Sequence, residues 1–282
     1  MFSKTIQMFI FDGKPNGRIM CELSNWNGRV YKISRGEIAE FSQRPDAEHT
    51  GIYFLFGKDD NNEETIYIGE AERIVTRLKQ HLKDREYWND CIVIISKDNL
   101  LNKAHIKYME NQFFRLAQES GRTFVMNGNI PTCSSISEYD KAMLEEFISN
   151  AKLLVNTLGY KTFESIQETA VAHEVTESIF FISAARGANA KGIIVSDGFA
   201  VYKGSVIANS ILSSMPASLA RLRAALFEKG VINHENTFTR DYVFTSPSLA
   251  AAIVMGRNAN GRTEWKTKNK KTINALEVSE II

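Results

Sequence analysis

Two short apolar runs separated by a polar loop constrain the fold more than any other feature of the chain. The first run, residues 52–56 (IYFLF), is rich in aromatic and branched residues, which favour strands. The second run, residues 65–68 (TIYI), follows a loop, GKDDNNEE, whose Gly, Asp and Asn residues suit a turn. The pattern predicts a hairpin that brings Tyr53 and Tyr67 into one antiparallel sheet.

The next segments predict two helices around a third strand. Residues 70–83 have apolar side chains at helical spacing, namely Ile74, Leu78 and Leu82. Arg77 and His81, four positions apart, are expected to share a different stripe of that helix and to point together into a cleft. Residues 91–95 (CIVII) predict a central strand, and residues 102–119 predict a second helix in which Glu110 lies beside the apolar face.

The order of these residues resembles the signature of the GIY-YIG nuclease family. Gly51-Ile52-Tyr53 is followed by Tyr67-Ile68-Gly69, and then by Arg77, His81 and Glu110. The resemblance extends from residue 49 to about residue 130, with both triplets intact. It implies an α+β domain, residues 49–133, with a small three-stranded antiparallel sheet flanked by helices.

The resemblance also implies roles in phosphodiester cleavage. Glu110 would be the sole protein ligand of a Mg²⁺ or Mn²⁺ ion, and Tyr53 or Tyr67 would orient or deprotonate the attacking water. Arg77 would bind the phosphate and lower the pKa of the phenol, and His81 would relay a proton or contact the phosphate. Asn127 fits the Asn that follows the Glu-bearing helix, with Asn129 as the alternative because the loop length varies.

Residues 1–48 predict a small β-rich extension. Strand-like alternation runs through residues 5–33, with turn residues at two points. We expect this extension to cover the edge of the sheet, although Arg29 and Arg35 could instead follow a nucleic-acid backbone. Residues 134–177 predict a helical connector, with an amphipathic helix at 137–158 and a linker at 160–180.

Residues 178–282 predict a small α+β domain. Strand-like runs occupy 178–183, 192–195 and 199–203, and Pro and Gly residues bracket two short helices. The segment from Gly256 to Trp265 reads Gly-Arg-x-x-Asn-Gly-x-x-x-Trp, which is similar to the end of a C-terminal domain of unknown function often appended to GIY-YIG nucleases. The two resemblances occur in the order expected for such proteins.

Basic residues near these motifs are candidates for nucleic-acid contact. They are Arg73, Lys79, Arg257, Arg262 and Lys266. Cationic runs are usually solvated faces, so Arg257 and Arg262 could equally be structural, with Trp265 packing the last element into the domain.

Composition excludes several classes of protein. The formal net charge of +1 gives no attraction of the whole molecule to nucleic acid, so any such contact needs local basic patches. The three cysteines have no close pairing, and the remaining histidines have no metal-ligand spacing. No apolar run is long enough for a bilayer, and the start lacks a secretory signal, so a cytoplasmic protein without a membrane partner is expected.

Three functions fit these patterns. The first is a metal-dependent endonuclease acting on DNA, in which the C-terminal domain selects substrate or partner. The second is a nucleic-acid-binding or regulatory protein with little cleavage activity. The third is a nuclease that acts on RNA, because the same site chemistry does not select the sugar.

Overall fold

The computed structural model describes residues 3–14, 17–59, 64–84, 86–164, 179–196 and 198–279. The chain divides into two units, the first formed by Met1–Gln118 and Thr123–Glu164, the second by Glu119–Arg122 and Ser165–Ile282. Most of the expected linker at 160–180 lies outside the described residues, as does the tip of the expected hairpin loop at 60–63. None of the described helices has the length and apolar character needed to span a bilayer.

One sheet of seven strands forms the centre of the first unit. Its strands are β1 (Ile6–Ile10), β2 (Ile19–Leu23), β3 (Gly28–Ser34), β4 (Gly51–Lys58), β5 (Glu64–Ala71), β6 (Trp88–Ser96) and β7 (Phe124–Val125). They lie in the order β1-β2-β3-β6-β4-β5-β7, and all neighbours are antiparallel except β5 and β7. The α+β class is confirmed, but the expected sheet of three strands is wrong in strand number.

The N-terminal strands account for the larger sheet. β3 pairs with β6 from Gly28 opposite Ser96 to Ser34 opposite Asp90. This pairing places β6 at the centre of the sheet, as expected for residues 91–95, and it covers the edge that β6 would otherwise expose. The extension thus covers the sheet edge as expected, but the paired segments are far apart in the chain, so no local pattern predicts that β3 pairs with β6 in this register.

Helices cover both faces of this sheet. On the face that carries Tyr53 and Leu55 lie α1 (Ile38–Phe41) and α2 (Ile74–Asp84). On the opposite face, which carries Phe54, lie α3 (Lys103–Ser120) and α4 (Glu138–Thr157). Burial on both faces explains why β4 and β6 are continuous apolar runs rather than alternating ones. The expected helix at 137–158 is α4, and it packs in the core of the first unit.

The second unit has its own antiparallel sheet of four strands, in the order β11-β10-β9-β8. They are β8 (Phe180–Ser183), β9 (Asn189–Val195), β10 (Gly198–Val201) and β11 (Tyr242–Phe244). Its helices are α5 (Ala217–Glu228), α6 (Pro247–Met255), α7 (Gly261–Glu264) and α8 (Ile273–Ser279). The two longer helices start and end where the Pro and Gly residues predict, and Gly256 ends α6 with a left-handed φ of 62°.

Candidate active site

Two phenols from neighbouring strands meet on the face covered by α2. Tyr53 on β4 lies opposite Gly69 on β5, and the ring centroids of Tyr53 and Tyr67 are 6.3 Å apart. A Cβ added at Gly69 would lie 2.3 Å from the Tyr53 hydroxyl oxygen, so only glycine leaves room for the ring. A Cβ added at Gly51 would lie 2.3 Å from the carbonyl oxygen of Ile94 on β6. The glycine of each triplet is thus required for close packing.

His81 on α2 is buried against both phenols. The residue is 2% exposed, its Nε2 is 2.7 Å from the Tyr53 hydroxyl oxygen, and its ring centroid is 5.3 Å from that of Tyr67. The expectation that His81 lies on a stripe apart from the apolar residues is wrong, because it shares the buried stripe of Ile74 and Leu78. His81 follows Ile74 by seven positions and Leu78 by three, and residues at these spacings lie on the same face of a helix. The burial of His81 could therefore have been predicted from the sequence.

Arg77 lies one turn before His81 and links the two phenols. Its guanidinium hydrogen-bonds to Tyr53 and to Tyr67, and the bond to Tyr53 contributes most to raising the pKa of Arg77. Its Nη1 also donates to Gln80 Oε1 at 2.8 Å. Much of Arg77 is exposed, so the remaining N–H groups of its planar fork can reach a phosphate oxygen.

The two phenols have different surroundings. Burial raises the pKa of Tyr53 well above its ordinary value, the neighbouring Tyr67 adds to that effect, and Arg77 opposes it. Tyr53 is therefore protonated at neutral pH, and its hydroxyl can donate to His81 Nε2 while its oxygen accepts from Arg77. Tyr67 is only partly buried, so it is the phenol that solvent reaches.

Glu110 lies on α3, next to the apolar residues Met109 and Phe113 as expected, and is half-buried. Burial raises the pKa of Glu110 to about 7, with a further contribution from Glu70, whereas Lys103, Lys107 and Arg77 lower it. Arg77 therefore acts on the carboxylate from one helix and on the phenols of the hairpin at the same time. This attraction acts at longer range, because α3 packs on the face of the sheet opposite to Tyr53, and among the described residues no hydrogen bond or ion pair joins Glu110 to Tyr53, Tyr67 or Arg77.

A divalent cation fits the surroundings of Glu110. Within the described ranges, no group of three or more His, Cys, Asp or Glu side chains forms a protein cage for a metal. Mg²⁺ is commonly bound by one or two carboxylates, with water and phosphate oxygens as the other ligands. A carboxylate whose charged form is disfavoured by burial and by a second carboxylate, here Glu70, is stabilised by such an ion.

Asn127 extends the sheet beside Tyr67. Its Oδ1 accepts from the backbone N–H of Ile68 at 3.0 Å, and its Nδ2 donates to the carbonyl oxygen of Ile68 at 2.7 Å. The side chain thus continues the parallel pairing that β7 begins, and fixes the strand between Tyr67 and Gly69. Asn129, the alternative candidate, is exposed. Asn127 therefore positions the strand that carries Tyr67.

The basic residues expected to contact nucleic acid in the first unit lie on or beside α2. Arg73 Nε forms an ion pair with Glu48 Oε2 at 2.7 Å, and Lys79 is exposed. Neither Arg73 nor Lys79 is among the residues with the largest effects on the pKa of Glu110.

In the second unit, the residues of the Gly256–Trp265 segment serve the local structure. Arg257 Nη2 forms an ion pair with Glu264 Oε1 at 2.7 Å, and the Asn260 side chain accepts from the N–H of Arg262 at the start of α7. Trp265 is 0% exposed and its Nε1 donates to the carbonyl oxygen of Pro247 at 3.0 Å.

Lys266 is exposed, and its backbone pairs with Phe181. Arg262 is exposed at the start of the short helix α7. The ion pair with Glu264 gives Arg257 a structural role in this segment.

Sequence reasoning missed three charged residues close to Glu110. Glu70 directly follows the second triplet, and Lys103 Nζ lies 2.9 Å from Glu70 Oε1. Lys103 and Lys107 precede Glu110 by seven and three positions, a spacing that places all three on one side of a helix. That spacing was a usable signal.

Comparison with known proteins identifies the C-terminal part only. Residues 180–277 match a family described as a domain of unknown function (DUF4357). The match runs from β8 into α8, and it supports the domain that the sequence indicates there. No curated protein and no solved structure matches the chain.

Proposed function

We propose that the first unit is a metal-dependent endonuclease that hydrolyses phosphodiester bonds in DNA. The observation that carries this proposal is the position of Arg77, which hydrogen-bonds to both Tyr53 and Tyr67 and acts electrostatically on Glu110. The phenols, guanidinium and carboxylate of the GIY-YIG signature come from different elements of the sheet and helices. Arg77 lies beside both phenols and His81 and attracts Glu110 at longer range, which supports a shared chemical task rather than a chance similarity of sequence.

The charged residues have two separate roles, metal binding and phosphate binding. A Mg²⁺ or Mn²⁺ ion at Glu110 would polarise the phosphate and assist the departing oxygen. Glu110 would hold that ion, and Glu70 is the second carboxylate near Glu110. Arg77 donates N–H groups to a phosphate oxygen, where negative charge grows in the transition state.

The two phenols and His81 divide the handling of water and protons. Tyr67, which solvent reaches, orients the attacking water. Tyr53 stays protonated and holds Arg77 and His81 in place. His81 is buried, so it accepts the hydrogen bond of the Tyr53 hydroxyl and positions that phenol rather than contacting the phosphate directly.

The second unit aids the selection of substrate or partner. Support comes from its separate core and from a row of exposed lysines, namely Lys266, Lys268 and Lys270. Such cations interact with phosphate groups in a salt-dependent way.

Cleavage assays test the proposal. Purified protein is incubated with supercoiled plasmid, single-stranded DNA and RNA, in Mg²⁺, in Mn²⁺ or in chelator. We expect metal-dependent nicking that Glu110→Gln and Arg77→Ala each reduce by at least about 100-fold, the usual scale for lost charge stabilisation. The matched controls are Glu146→Gln on α4 and Arg115→Ala on α3, both exposed, which keep full activity.

The outcomes separate the three candidate functions. Cleavage of RNA but not DNA would reassign the substrate. Nucleic-acid binding without cleavage in either metal would favour a regulatory protein. Activity that survives both Glu110→Gln and Arg77→Ala would remove the basis of the proposed site.

A further inference from the structure

The helix that carries Glu110 presents two lysines beside it. Lys103 and Lys107 lie on the same side of α3 as Glu110, seven and three positions earlier. Both attract the Glu110 carboxylate, as Arg77 does from α2. Cationic groups therefore approach this carboxylate from two helices.

The two lysines differ in their partners. Lys103 Nζ is 2.9 Å from Glu70 Oε1 and 3.7 Å from Glu72 Oε2, so its charge is shared between two carboxylates. Lys107 is half-buried and, among the residues that the structure describes, has no direct ion pair. Its attraction to Glu110 acts at longer range. Lys107 is thus the cation on this side of α3 that can accept an anionic ligand without breaking a contact.

We propose that Lys107 binds the backbone phosphate adjacent to the one that is cleaved. This inference rests on the proposed function, and it assigns a nucleic-acid contact different from the basic residues that the sequence suggests. Three helical residues rise by about 4.5 Å, and phosphates of one strand of duplex DNA are about 3.4 Å apart along the axis. A phosphate next to one bound at Glu110 therefore falls within reach of the flexible lysine side chain.

The chemistry of the side chain suits this ligand. The ammonium group of lysine is a compact charge on a flexible stem, which binds phosphate as a point charge and does not read bases. Lys107 therefore holds the backbone in register with Glu110 and Arg77. Lys103 has a positioning role, because its ion pair fixes Glu70 beside Glu110.

Salt-dependent binding tests the role of Lys107. Binding is measured in a Glu110→Gln background, which prevents cleavage, by fluorescence anisotropy between 50 and 200 mM KCl. The probes are a labelled DNA duplex of 20 base pairs and single-stranded DNA and RNA of the same sequence. Adding Lys107→Ala is expected to lower the slope of log affinity against log salt by about 0.9 for the duplex and about 0.7 for single strands.

Two further variants separate a phosphate contact from a structural role. Lys107→Arg keeps the charge and is expected to keep the slope of the parent. Lys83→Ala removes the same charge from an exposed position on α2 and is expected to leave the slope unchanged. If Lys107→Ala fails to fold, Lys107→Gln replaces it in the same comparison.

An unchanged slope in the Lys107→Ala protein, with binding otherwise intact, overturns this inference even if the unsubstituted protein cleaves DNA. If Lys107→Ala lowers the slope but the unsubstituted protein cleaves none of the probes, the contact between Lys107 and a backbone phosphate is supported and the endonuclease proposal is wrong. The probe that loses the most affinity identifies the polymer for which the site is built.

Discussion

At the scale of single residues, packing explains the glycines of the Gly51-Ile52-Tyr53 and Tyr67-Ile68-Gly69 triplets. Tyr53 stands opposite Gly69, and its ring fills the volume that any other side chain would need. The same contact holds the Tyr53 hydroxyl next to His81. Gly69 therefore determines where the Tyr53 phenol lies.

Gly69→Ala is expected to destabilise the protein by about 1–3 kcal/mol, the usual cost of overpacking a well-filled core. The reason is the contact of 2.3 Å that the added Cβ would make with the Tyr53 hydroxyl oxygen. Urea denaturation measures the change. The control is Gly36→Ala, since a Cβ at that exposed residue meets nothing within 4 Å and is expected to change stability by less than about 0.5 kcal/mol. Equal effects of the two substitutions would contradict this account of Gly69.

The sequence predicted these site residues by type and order, but their surroundings only in part. The hairpin placed Tyr53 and Tyr67 in one sheet, as the structure has them. It could not tell which phenol is buried, because that depends on the packing of α2 against the sheet. His81 shows the opposite case, since its burial follows from helical spacing that was present in the sequence.

At the scale of elements, the edge of β5 depends on a single side chain. β7 pairs with only two residues of β5, Thr65 and Ile66, and the amide of Asn127 then takes over the pairing at Ile68. The order of residues after α3 pointed to Asn127. The sequence did not predict that the Asn127 side chain would hydrogen-bond to the backbone of Ile68 in place of a further residue of β7.

Asn127→Ala is expected to cost about 1–3 kcal/mol, because a backbone donor and acceptor of Ile68 lose their partner. It should also lower cleavage by more than the loss of stability explains, since Tyr67 is the residue before Ile68. Thermal unfolding and a cleavage assay well below the melting temperature measure the two effects. Asn129→Ala, at an exposed position, is the control and should change neither. A larger effect at Asn129 would transfer the role to that residue.

At the scale of the whole molecule, the first unit contains both the N-terminal extension, residues 1–48, and the segment from residue 49 onward, which the sequence predicted as separate parts. Asp46, just before β4, is 7% exposed and accepts from Arg29 Nη1 at 2.5 Å, Arg44 Nε at 3.1 Å and the Tyr31 hydroxyl. Arg29 and Tyr31 belong to β3, and Glu22 of β2 completes the cluster at 2.5 Å from Arg29. The cluster thus ties the segment just before β4 to β2 and β3 within the N-terminal extension, and β3 joins this extension to the rest of the sheet by pairing with β6.

Asp46→Asn is expected to destabilise the protein by about 1–3 kcal/mol at pH 7, because the half-buried Arg29 and Arg44 lose a charged hydrogen-bond acceptor, although Arg29 keeps Glu22. Burial alone would raise the pKa of Asp46, but the bonds from Tyr31, Arg29 and Arg44 outweigh it and lower the pKa from its ordinary 3.8. The stability that the carboxylate contributes is therefore complete above pH 3.8 and is lost as the pH falls through the lower value in the folded protein.

Urea denaturation at pH 7 and pH 3 measures this dependence, and the difference between the two proteins should narrow at pH 3. Asp12→Asn is the matched control, because its ion pair with Arg18 is at the surface and should change stability far less. A difference that stays constant over this pH range would show that the charge of Asp46 is not the cause.

The conformation of the Gly256–Trp265 segment determines what sequence similarity in this segment says about a related protein. Gly256 adopts a backbone angle that glycine favours, Asn260 closes a helix start, and Trp265 is enclosed in the interior. These three residues are required by the local fold. Two chains that share them inherit a common scaffold, and such a scaffold can be fused to catalysts with unrelated chemistry. What each such fusion recognises must then be sought on the variable outer surface of the module.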